Sequence, residues 1–363
     1  MAYHIDVLPI GDTQCGEAIA IHIGDINSPD RSKRKVIIID GGYKSNGDDL
    51  VAHIIKHYKT KEVDLVVSTH PDQDHINGLT AVLEQLDVKM LWMHRPWLHS
   101  EDIKSLKGMG FNASNVSNKL EKALSSANEL EAVAIEQGVE IVEPFVGEAV
   151  FDTPYGRLSV VGPTREFYDQ LMGEVLAYEP TKASFFSKIT QSLSGIFESH
   201  TVETLQEGGR TSPQNNSSTV LLLELDNGNR ALFAGDAGID ALENAHEELV
   251  TTHGHTPGSL KYIQVPHHGS RRNVSPSLLD KLLGTRTAVE GALQGYAVVS
   301  VSRDECKQGH PKKVVTNAFK RRGYPVHSTV DGEGKLYMSL GDDREGYSTS
   351  ESLKHFTYVE PQD

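Results

Sequence analysis

The sequence predicts an α/β fold in which short buried strands alternate with helices. Several apolar runs are rich in β-branched residues, the composition typical of buried strands, and each leads into a polar residue. These runs are KVIIID, VDLVVST, NRALFAGD and KYIQVPH, which lead to Asp40, His70, Asp236 and His267. A helix is predicted directly after His75, because apolar residues recur there at steps of three and four. These residues are Ile76, Leu79, Leu83 and Leu86.

Two further elements follow from turn and terminus signals. The segment STVLLLELDNGNRALFAGD predicts a β-hairpin, with Asn227-Gly228 at its turn. The segment PKKVVTNAFKRRG predicts a helix that starts near Pro311 and stops at Gly323. This helix carries several Lys and Arg residues in an otherwise acidic chain, which indicates a polyanionic substrate.

The chain is predicted to form a single domain over residues 1–363. The stretch from roughly 100 to 214 differs in character, with a long amphipathic helix from Leu120 to Ala134, and is interpreted as a largely helical inserted elaboration. The tail from roughly 341 to 363 is expected to be loosely held.

Composition excludes some classes of protein. The net charge of −15 argues against long, nonspecific coating of nucleic acid, which needs a basic surface, but leaves room for a local patch. No apolar stretch is long enough to span a membrane, and the segment MAYHIDVLPIGD does not have the pattern expected of a secretory signal. Cys15 and Cys306 form no motif, so a disulfide framework is not expected and a cytoplasmic location is predicted.

The loop His70-Pro71-Asp72-Gln73-Asp74-His75 concentrates imidazoles and carboxylates, the side chains that bind divalent cations. Taken alone, an acidic loop before a helix can equally well cap that helix. Two more such residues, however, follow two other predicted strands. Together these residues have the composition of a two-metal site with one shared carboxylate. The candidate metal ligands are His70, Asp72, Asp74, His75, Asp236 and His267.

The pattern resembles the metallo-β-lactamase fold, a four-layer αββα sandwich with its metals at one sheet edge. That family's loop is H-x-H-x-D-H, whereas this chain has H-x-D-x-D-H. The variant is similar to one branch, the hydrolase domain of the competence protein ComEC and its free-standing relatives. The segments GEAIAIHI, IIIDGG, LSVVGPT, NNSSTVLLLEL, LFAGDAG, LKYIQVPHHGS and GHP follow in that branch's order.

The resemblance implies a role for each ligand. His70 and Asp72 would bind one metal, Asp74 and His75 the other, and Asp236 would bridge them. A histidine of the 267–268 pair would complete the second site, and His267, which directly ends its strand, is favoured. Asp40 would be a buried residue that orients the ligands. The chain departs from most of the fold's members at Asn215 to Ser218, where they carry a further histidine, so the first metal has fewer strong ligands.

The resemblance also implies two divalent cofactor ions, Zn²⁺ or Mn²⁺, and the carboxylate Asp72 shifts the preference toward Mn²⁺. The predicted catalytic residues are Asp74, His268 and His310, the last as a proton donor or phosphate contact. The predicted substrate-binding residues are Ser270, Arg271 and Lys261. His255, in the segment THGHTPGS, looks like the missing histidine motif but lies after Asp236 in the chain, so it is interpreted as a loop residue.

The predicted function is that of a soluble metal-dependent phosphodiesterase, a nuclease that cleaves DNA or RNA with a metal-bound hydroxide. The partner is therefore a nucleic acid or another phosphodiester, with no membrane, and the oligomeric state stays open. One alternative is hydrolysis of a small phosphodiester such as a cyclic nucleotide or a phosphorylcholine ester. The segment Trp92 to His99 could stack a base or a choline-like group, although loop packing is the more usual explanation for such aromatic residues. The other alternative is a non-catalytic, metal-stabilised binding scaffold.

Overall fold

Two seven-stranded β-sheets pack face to face in a computed structural model of the chain. The structure describes residues 3–11, 14–25, 27–99, 120, 124–177, 195–302, 309–329, 336–340 and 350–361. Apolar side chains of both sheets fill the space between them, among them Ile37 and Ile39 of the first sheet and Leu221 and Phe233 of the second.

The first sheet holds the strands that lead to the histidine loop. In spatial order they are β17 (Leu336–Leu340), β1 (Tyr3–Val7), β2 (Ala18–Gly24), β3 (Arg34–Gly41), β5 (Leu65–Val67), β7 (Met90–Trp92) and β8 (Glu140–Val142). Strands β3, β5, β7 and β8 run parallel, so their carboxyl ends lie at one edge of the sheet.

Strand β3 shows why these sequences are apolar without interruption. Successive side chains of a strand point to opposite faces of the sheet. Val36 and Ile38 join the core beneath the helices, whereas Ile37 and Ile39 join the core between the sheets. Both faces are buried, as expected where parallel strands are covered on each side.

The second sheet carries the other candidate ligands. In spatial order its strands are β16 (Val326–Ser328), β15 (Tyr296–Val299), β14 (Tyr262–Gln264), β13 (Arg230–Phe233), β12 (Val220–Leu225), β10 (Gly156–Gly162) and β9 (Val150–Thr153). Strands β13 to β16 run parallel. The predicted hairpin is confirmed as β12 and β13, and Gly228 at its turn has a φ of 83°.

Helices cover the outer face of each sheet. They are α1 (Gly47–Tyr58), α2 (Gln73–Ile76), α3 (Leu79–Gln85), α4 (Ser125–Glu136), α5 (Arg165–Ala177), α6 (Pro213–Asn216), α7 (Ile239–Thr251), α8 (Pro276–Leu283) and α9 (Lys313–Arg321). Helices α1, α3, α4 and α5 share a core with the first sheet, and α7, α8 and α9 share one with the second. Two small two-stranded sheets pair β4 (Glu62–Val63) with β6 (Asp87–Val88) and β11 (Ile196–Phe197) with β18 (Tyr358–Val359). The predicted αββα fold class is confirmed.

The stretch 100–214, predicted as an inserted elaboration, contributes strands to both sheets. Among its described residues, β8 joins the first sheet, while β9 and β10 join the second. Its helices α4 and α5 add Leu130 and Leu171 to the core beneath the first sheet. These elements are therefore integral layers of the sandwich, which sequence periodicity alone did not reveal.

The described part of the C-terminal tail is packed, contrary to the predicted loose tail. Val359 is 2% exposed and belongs to the core beneath the second sheet. The Glu360 carboxylate accepts hydrogen bonds from the backbone amides of Lys313 (3.0 Å) and Val314 (3.4 Å) at the start of α9. Residues 341–349 and 362–363 of that predicted tail lie outside the described residues.

Two expectations from composition can be compared with the structure. Cys15 is buried and disulfide-bonded, which contradicts the expectation drawn from the cysteine pattern, and Cys306 lies outside the described residues. No helix in the described part of the chain has both the length and the apolar character needed to cross a membrane.

Candidate metal centre

The loop after β5 carries the first four candidate ligands: His70, Asp72, Asp74 and His75. His70 and His75 are buried, and their ring centroids lie 4.2 Å apart. Asp72 occupies the N-cap position of α2, yet its side chain makes no capping hydrogen bond. The capping explanation therefore does not account for the Asp72 carboxylate.

Asp236, which follows β13, lies at the centre of the cluster. Its Oδ1 atom is 3.3 Å from Nε2 of His75. Its Oδ2 atom is 3.7 Å from Nε2 of His70 and 3.5 Å from Nε2 of His267. One carboxylate thus faces histidines from two loops, the arrangement that a shared metal ligand requires.

The candidate ligands fall into two groups around Asp236. Ligand atoms of Asp74, His75 and His268 all lie within 4.8 Å of one another, on the Oδ1 side of Asp236. His70 lies on the Oδ2 side, 3.7 Å from Asp72 Oδ2, and His267 faces the same oxygen of Asp236. The two groups therefore lie on opposite sides of Asp236, where the residues could hold divalent cations.

The second ring nitrogen of each histidine is engaged outside the cluster. Nδ1 of His75 lies 2.7 Å from Asp40, Nδ1 of His268 lies 2.9 Å from the Ser300 carbonyl, and Nδ1 of His70 lies 3.1 Å from Thr69 Oγ1. Nδ1 of His267 lies 3.0 Å from Asn273 Oδ1. These contacts turn each Nε2 toward the cluster, as partners of metal-binding histidines do.

The donor set fits divalent cations. Among the described residues, Nε2 of His70, His75 and His268 and Oδ1 of Asp236 are buried without a hydrogen-bond partner. Buried polar atoms are almost always paired, so unpaired atoms that converge on one point fit a bound cation. Imidazole and carboxylate are ligands that Zn²⁺ and Mn²⁺ accept.

Residues 31–181 match the metallo-beta-lactamase superfamily. That segment includes the whole histidine loop. With its four αββα layers, the chain has the metallo-β-lactamase fold. No curated protein sequence matches the chain significantly.

Solved structures resemble this one only distantly. The Zn²⁺-bound PqqB from Methylobacterium extorquens is 12% identical, with 93% of this chain and 100% of that chain covered and a TM-score of 0.43. A diphosphatase from the PhnP family is 11% identical, with 94% and 98% covered and a TM-score of 0.40. A metallo-β-lactamase from Hirschia baltica is 11% identical, with 76% and 95% covered and a TM-score of 0.31. Likenesses at this level do not bear on the substrate.

Asp40 lies where the metallo-β-lactamase resemblance implies, buried at the end of β3. It accepts hydrogen bonds from the backbone amide of Thr69 at 2.8 Å and from Thr69 Oγ1 at 2.6 Å, and it faces His75 Nδ1. Its φ is 56°, a left-handed conformation that Asp and Asn tolerate better than most residues. Asp40 thereby holds the backbone of the histidine loop at Thr69 and also orients the ring of His75, a candidate ligand.

The structure exchanges the expected positions of the two adjacent histidines. Both have positive φ, 49° for His267 and 54° for His268, in a 3₁₀ turn after β14. His268 is buried, and its Nε2 is 3.6 Å from Asp74 Oδ2. His267 is 29% exposed and faces Asp236 Oδ2. His268 therefore takes the place predicted for His267 in the second group, because the left-handed turn directs His268 inward.

Charges in the cluster hold one another ionised. Burial would raise the pKa of Asp236, but His267, His75 and His268 outweigh it and hold that pKa well below its ordinary value. Burial lowers the pKa of His75, yet Asp236 and Asp40 raise it well above its ordinary value overall. For Asp74, the effect of burial is outweighed by His268 and His75, and the pKa falls to about 2. Binding of cations would replace the imidazole protons, so it should release protons.

A cavity of about 960 Å³ opens beside the cluster. Asp72 and His267 lie in its wall, with the predicted residues Ser270, Arg271 and His310. Burial, with Lys312 and His268 nearby, lowers the pKa of His310 to about 3. A neutral imidazole suits a phosphate contact better than the predicted role of proton donor.

Two residues named in the sequence analysis, Lys261 and His255, lie outside the candidate site. Lys261 is exposed at the amino end of β14, where its Nζ donates to the Gln294 carbonyl at 3.2 Å. The candidate site lies at the carboxyl end of the same strand, so the structure does not bring Lys261, predicted to bind substrate, together with the other candidate residues. His255 is buried and lies 3.0 Å from the Leu282 carbonyl, consistent with a structural loop residue.

The C-terminal end of the basic helix α9 does not present the predicted basic surface, whereas Lys312 at its N-cap lines the cavity. Arg321 and Arg322 are buried and pair with Glu198 at 2.9 Å and Glu203 at 2.8 Å. Lys320 Nζ donates to the Leu353 carbonyl. These residues hold the fold together, because each long basic side chain finds an acidic or carbonyl partner in a neighbouring segment.

The sequence analysis missed Glu17. This residue precedes β2, is 2% exposed and has a carboxylate oxygen within 4.8 Å of His75 and Asp236 ligand atoms. Burial raises its pKa to about 8, although His75 and His268 act in the opposite direction. The available signal was one acidic residue directly before the apolar run AIAIHI.

Proposed function

We propose that the protein is a dinuclear metal-dependent phosphodiesterase, and that its substrate is a nucleic acid. The observation that carries this proposal is the charge of the cavity wall beside the candidate ligands. Among the residues that the structure describes, the cavity wall carries four cationic side chains and one carboxylate, Asp72; the cations are Arg210, Arg271, Arg272 and Lys312. In a chain with a net charge of −15, this local excess of positive charge favours an anionic substrate.

The residues of the cavity have separate proposed roles. Bound Zn²⁺ or Mn²⁺ would supply Lewis acidity and lower the pKa of a water at the site. Arg271 and Arg210 would hold a phosphate with charge-assisted hydrogen bonds. Arg271 is positioned by the C-terminal segment, since its Nη1 donates to the Pro361 carbonyl at 2.6 Å. Asp74, ionised at neutral pH, would accept a hydrogen bond from the attacking water.

A nucleic acid is favoured over a phosphorylcholine ester. Trp92 and Trp97 are buried in apolar cores, so neither offers a surface on which a base or a choline-like group could stack, and the choice does not rest on them. The order of segments shared with the ComEC-like branch supports this choice, because those relatives are implicated in degrading a DNA strand. A cyclic nucleotide, which is also an anionic phosphodiester, remains the alternative that experiment must separate.

The test is a substrate screen. Purified protein is incubated with Mn²⁺ or Zn²⁺ and single-stranded DNA, plasmid, RNA, a cyclic nucleotide or a chromogenic phosphodiester. We expect cleavage of at least one polynucleotide, lost in Asp236→Ala. If only the small substrates were turned over, the protein would be a small-phosphodiester hydrolase and not a nuclease. A wild-type protein that binds two ions but turns over none of these substrates would instead be a binding scaffold.

A further inference from the structure

Glu17 is held rigidly against the second group of candidate ligands. Its backbone amide donates to the Asp74 carbonyl at 3.0 Å. The Gln264 amide donates to Glu17 Oε2, and Gln264 Oε1 in turn accepts from the backbone amides of Ala234 (2.7 Å) and Gly235 (3.0 Å). One carboxylate oxygen is thus fixed by a side chain whose own orientation is set by the loop before Asp236.

The other oxygen of Glu17 is left unpaired by the described residues. Oε1 is buried and has no hydrogen-bond partner in the described part of the chain. A carboxylate oxygen of Glu17, a ring nitrogen of His75 and a carboxylate oxygen of Asp236 all lie within 4.8 Å of one another. Burying a carboxylate oxygen without a partner is costly, so its presence beside unpaired imidazole nitrogens calls for a cation.

The backbone before Glu17 packs closely against the loop that carries Asp74. A Cβ atom on Gly16 would lie 2.7 Å from the Asp74 carbonyl oxygen and 2.4 Å from an Ile10 methyl carbon. Only a glycine fits there without displacement of the Asp74 loop. The segment 16–17 therefore packs directly on the loop that supplies the ligands of the second group.

We propose that Glu17 is a further ligand of the cation held by Asp74, His75 and His268, an inference that rests on the proposed metal centre. With Asp236, the second site then has three carboxylates and two imidazoles. Five protein ligands exceed the four of a tetrahedral zinc site, and the added oxygen makes the set harder. Glu17 thus biases the second site toward Mn²⁺ over Zn²⁺.

The experiment measures metal binding rather than turnover. Wild type, Glu17→Gln and a control, Glu143→Gln, are stripped with a chelator and titrated calorimetrically with Mn²⁺ and with Zn²⁺. Glu143 is also a poorly exposed glutamate, but it pairs with His99 at 2.7 Å. In Glu17→Gln we expect one of two Mn²⁺ ions to bind at least about tenfold more weakly, with a smaller loss for Zn²⁺. The control should bind both metals like wild type.

Thermal unfolding separates a ligand from a structural residue. Replacing a buried carboxyl group whose Oε1 is unpaired among the described residues should leave the melting temperature of stripped Glu17→Gln unchanged or raised, while the increase caused by Mn²⁺ shrinks. Two Mn²⁺ ions bound to Glu17→Gln with wild-type affinity would overturn the role of Glu17 alone. A wild type that binds no ion would overturn the metal centre as well. If the variant does not fold, a crystal structure of the Mn²⁺-loaded wild type decides, and Glu17 beyond coordination distance overturns the proposal.

Discussion

Asp40 Oδ2 lies 2.7 Å from Nδ1 of His75, and Nε2 of the same ring lies 3.3 Å from Asp236 Oδ1. The imidazole therefore connects a buried acid to the candidate bridging ligand. A proton on Nδ1, accepted by Asp40, leaves the lone pair of Nε2 available to a cation. The tautomer of His75 is set by its partner at the end of β3.

Asp40→Asn tests this relationship. The amide can donate to Nδ1 and so favour the tautomer with a proton on Nε2, which cannot bind a metal. We expect about a 10- to 100-fold loss of metal affinity, measured by calorimetric titration. The matched control is Asp6→Asn, because Asp6 forms a similar buried pair with His53 at 2.7 Å outside the cluster. Equal losses in both variants would show a general stability effect instead.

The adjacent histidines should differ in what they hold. His268 lies with Asp74 and His75, whereas His267 faces His70 across Asp236 Oδ2. His268→Ala should therefore remove the ion of the Asp74 group, and His267→Ala should weaken the other ion by about tenfold or more. Elemental analysis after dialysis against dilute Mn²⁺ gives the stoichiometry of each variant. Loss of the same ion in both variants would contradict the two-site geometry.

Candidate ligands such as Asp236 could be predicted from the sequence, because they follow apolar runs that must be buried. Lys261 precedes its strand and therefore lies at the opposite edge from the candidate ligands, which its position in the sequence could have indicated. The burial of Arg321 could not be predicted, since its partner Glu198 is 123 residues away. The exchange of His267 and His268 depends on two left-handed residues, which composition does not specify.

The cavity wall can be tested at Arg210, an exposed residue beside the candidate site. Arg210→Ala should raise the KM for a polynucleotide about three- to tenfold, because an exposed charge-assisted contact contributes modestly and is screened by salt. Metal stoichiometry and kcat should not change. The control is Arg157→Ala, whose side chain pairs with Asp152 on the β9–β10 hairpin. An equal rise in KM in both variants would mean that only net charge matters.

Because Arg321 at the end of α9 is buried in an ion pair, we expect its substitution to lower the stability of the fold rather than the affinity for substrate. Arg321 Nη2 lies 2.9 Å from Glu198 Oε2, and both side chains are buried. Arg321→Ala leaves Glu198 without its cation, so the free energy of unfolding should fall by about 3–5 kcal/mol in a urea titration. Lys313→Ala, on the same helix, should change it by less than about 0.5 kcal/mol. If Arg321→Ala changed stability only slightly but weakened nucleic-acid binding, the result would instead support the predicted role of α9 in binding substrate.

His94 gives the protein a defined sensitivity to acid. Its ring is buried beside Tyr168 and Phe145, with centroids 4.2 and 4.7 Å away, and burial lowers its pKa to about 3 from an ordinary value of 6.5. Because the unfolded chain takes up this proton first, the imidazole costs stability as pH falls from 6.5 toward 3, by at most about 1.4 kcal/mol per pH unit. His94→Phe should flatten the dependence of unfolding free energy on pH in that window. The control is Tyr168→Phe, which alters the same aromatic stack but removes no group that titrates between pH 3 and 6.5. It should therefore keep the wild-type dependence of unfolding free energy on pH. An unchanged dependence in His94→Phe would show that this imidazole is not the acid-sensitive group.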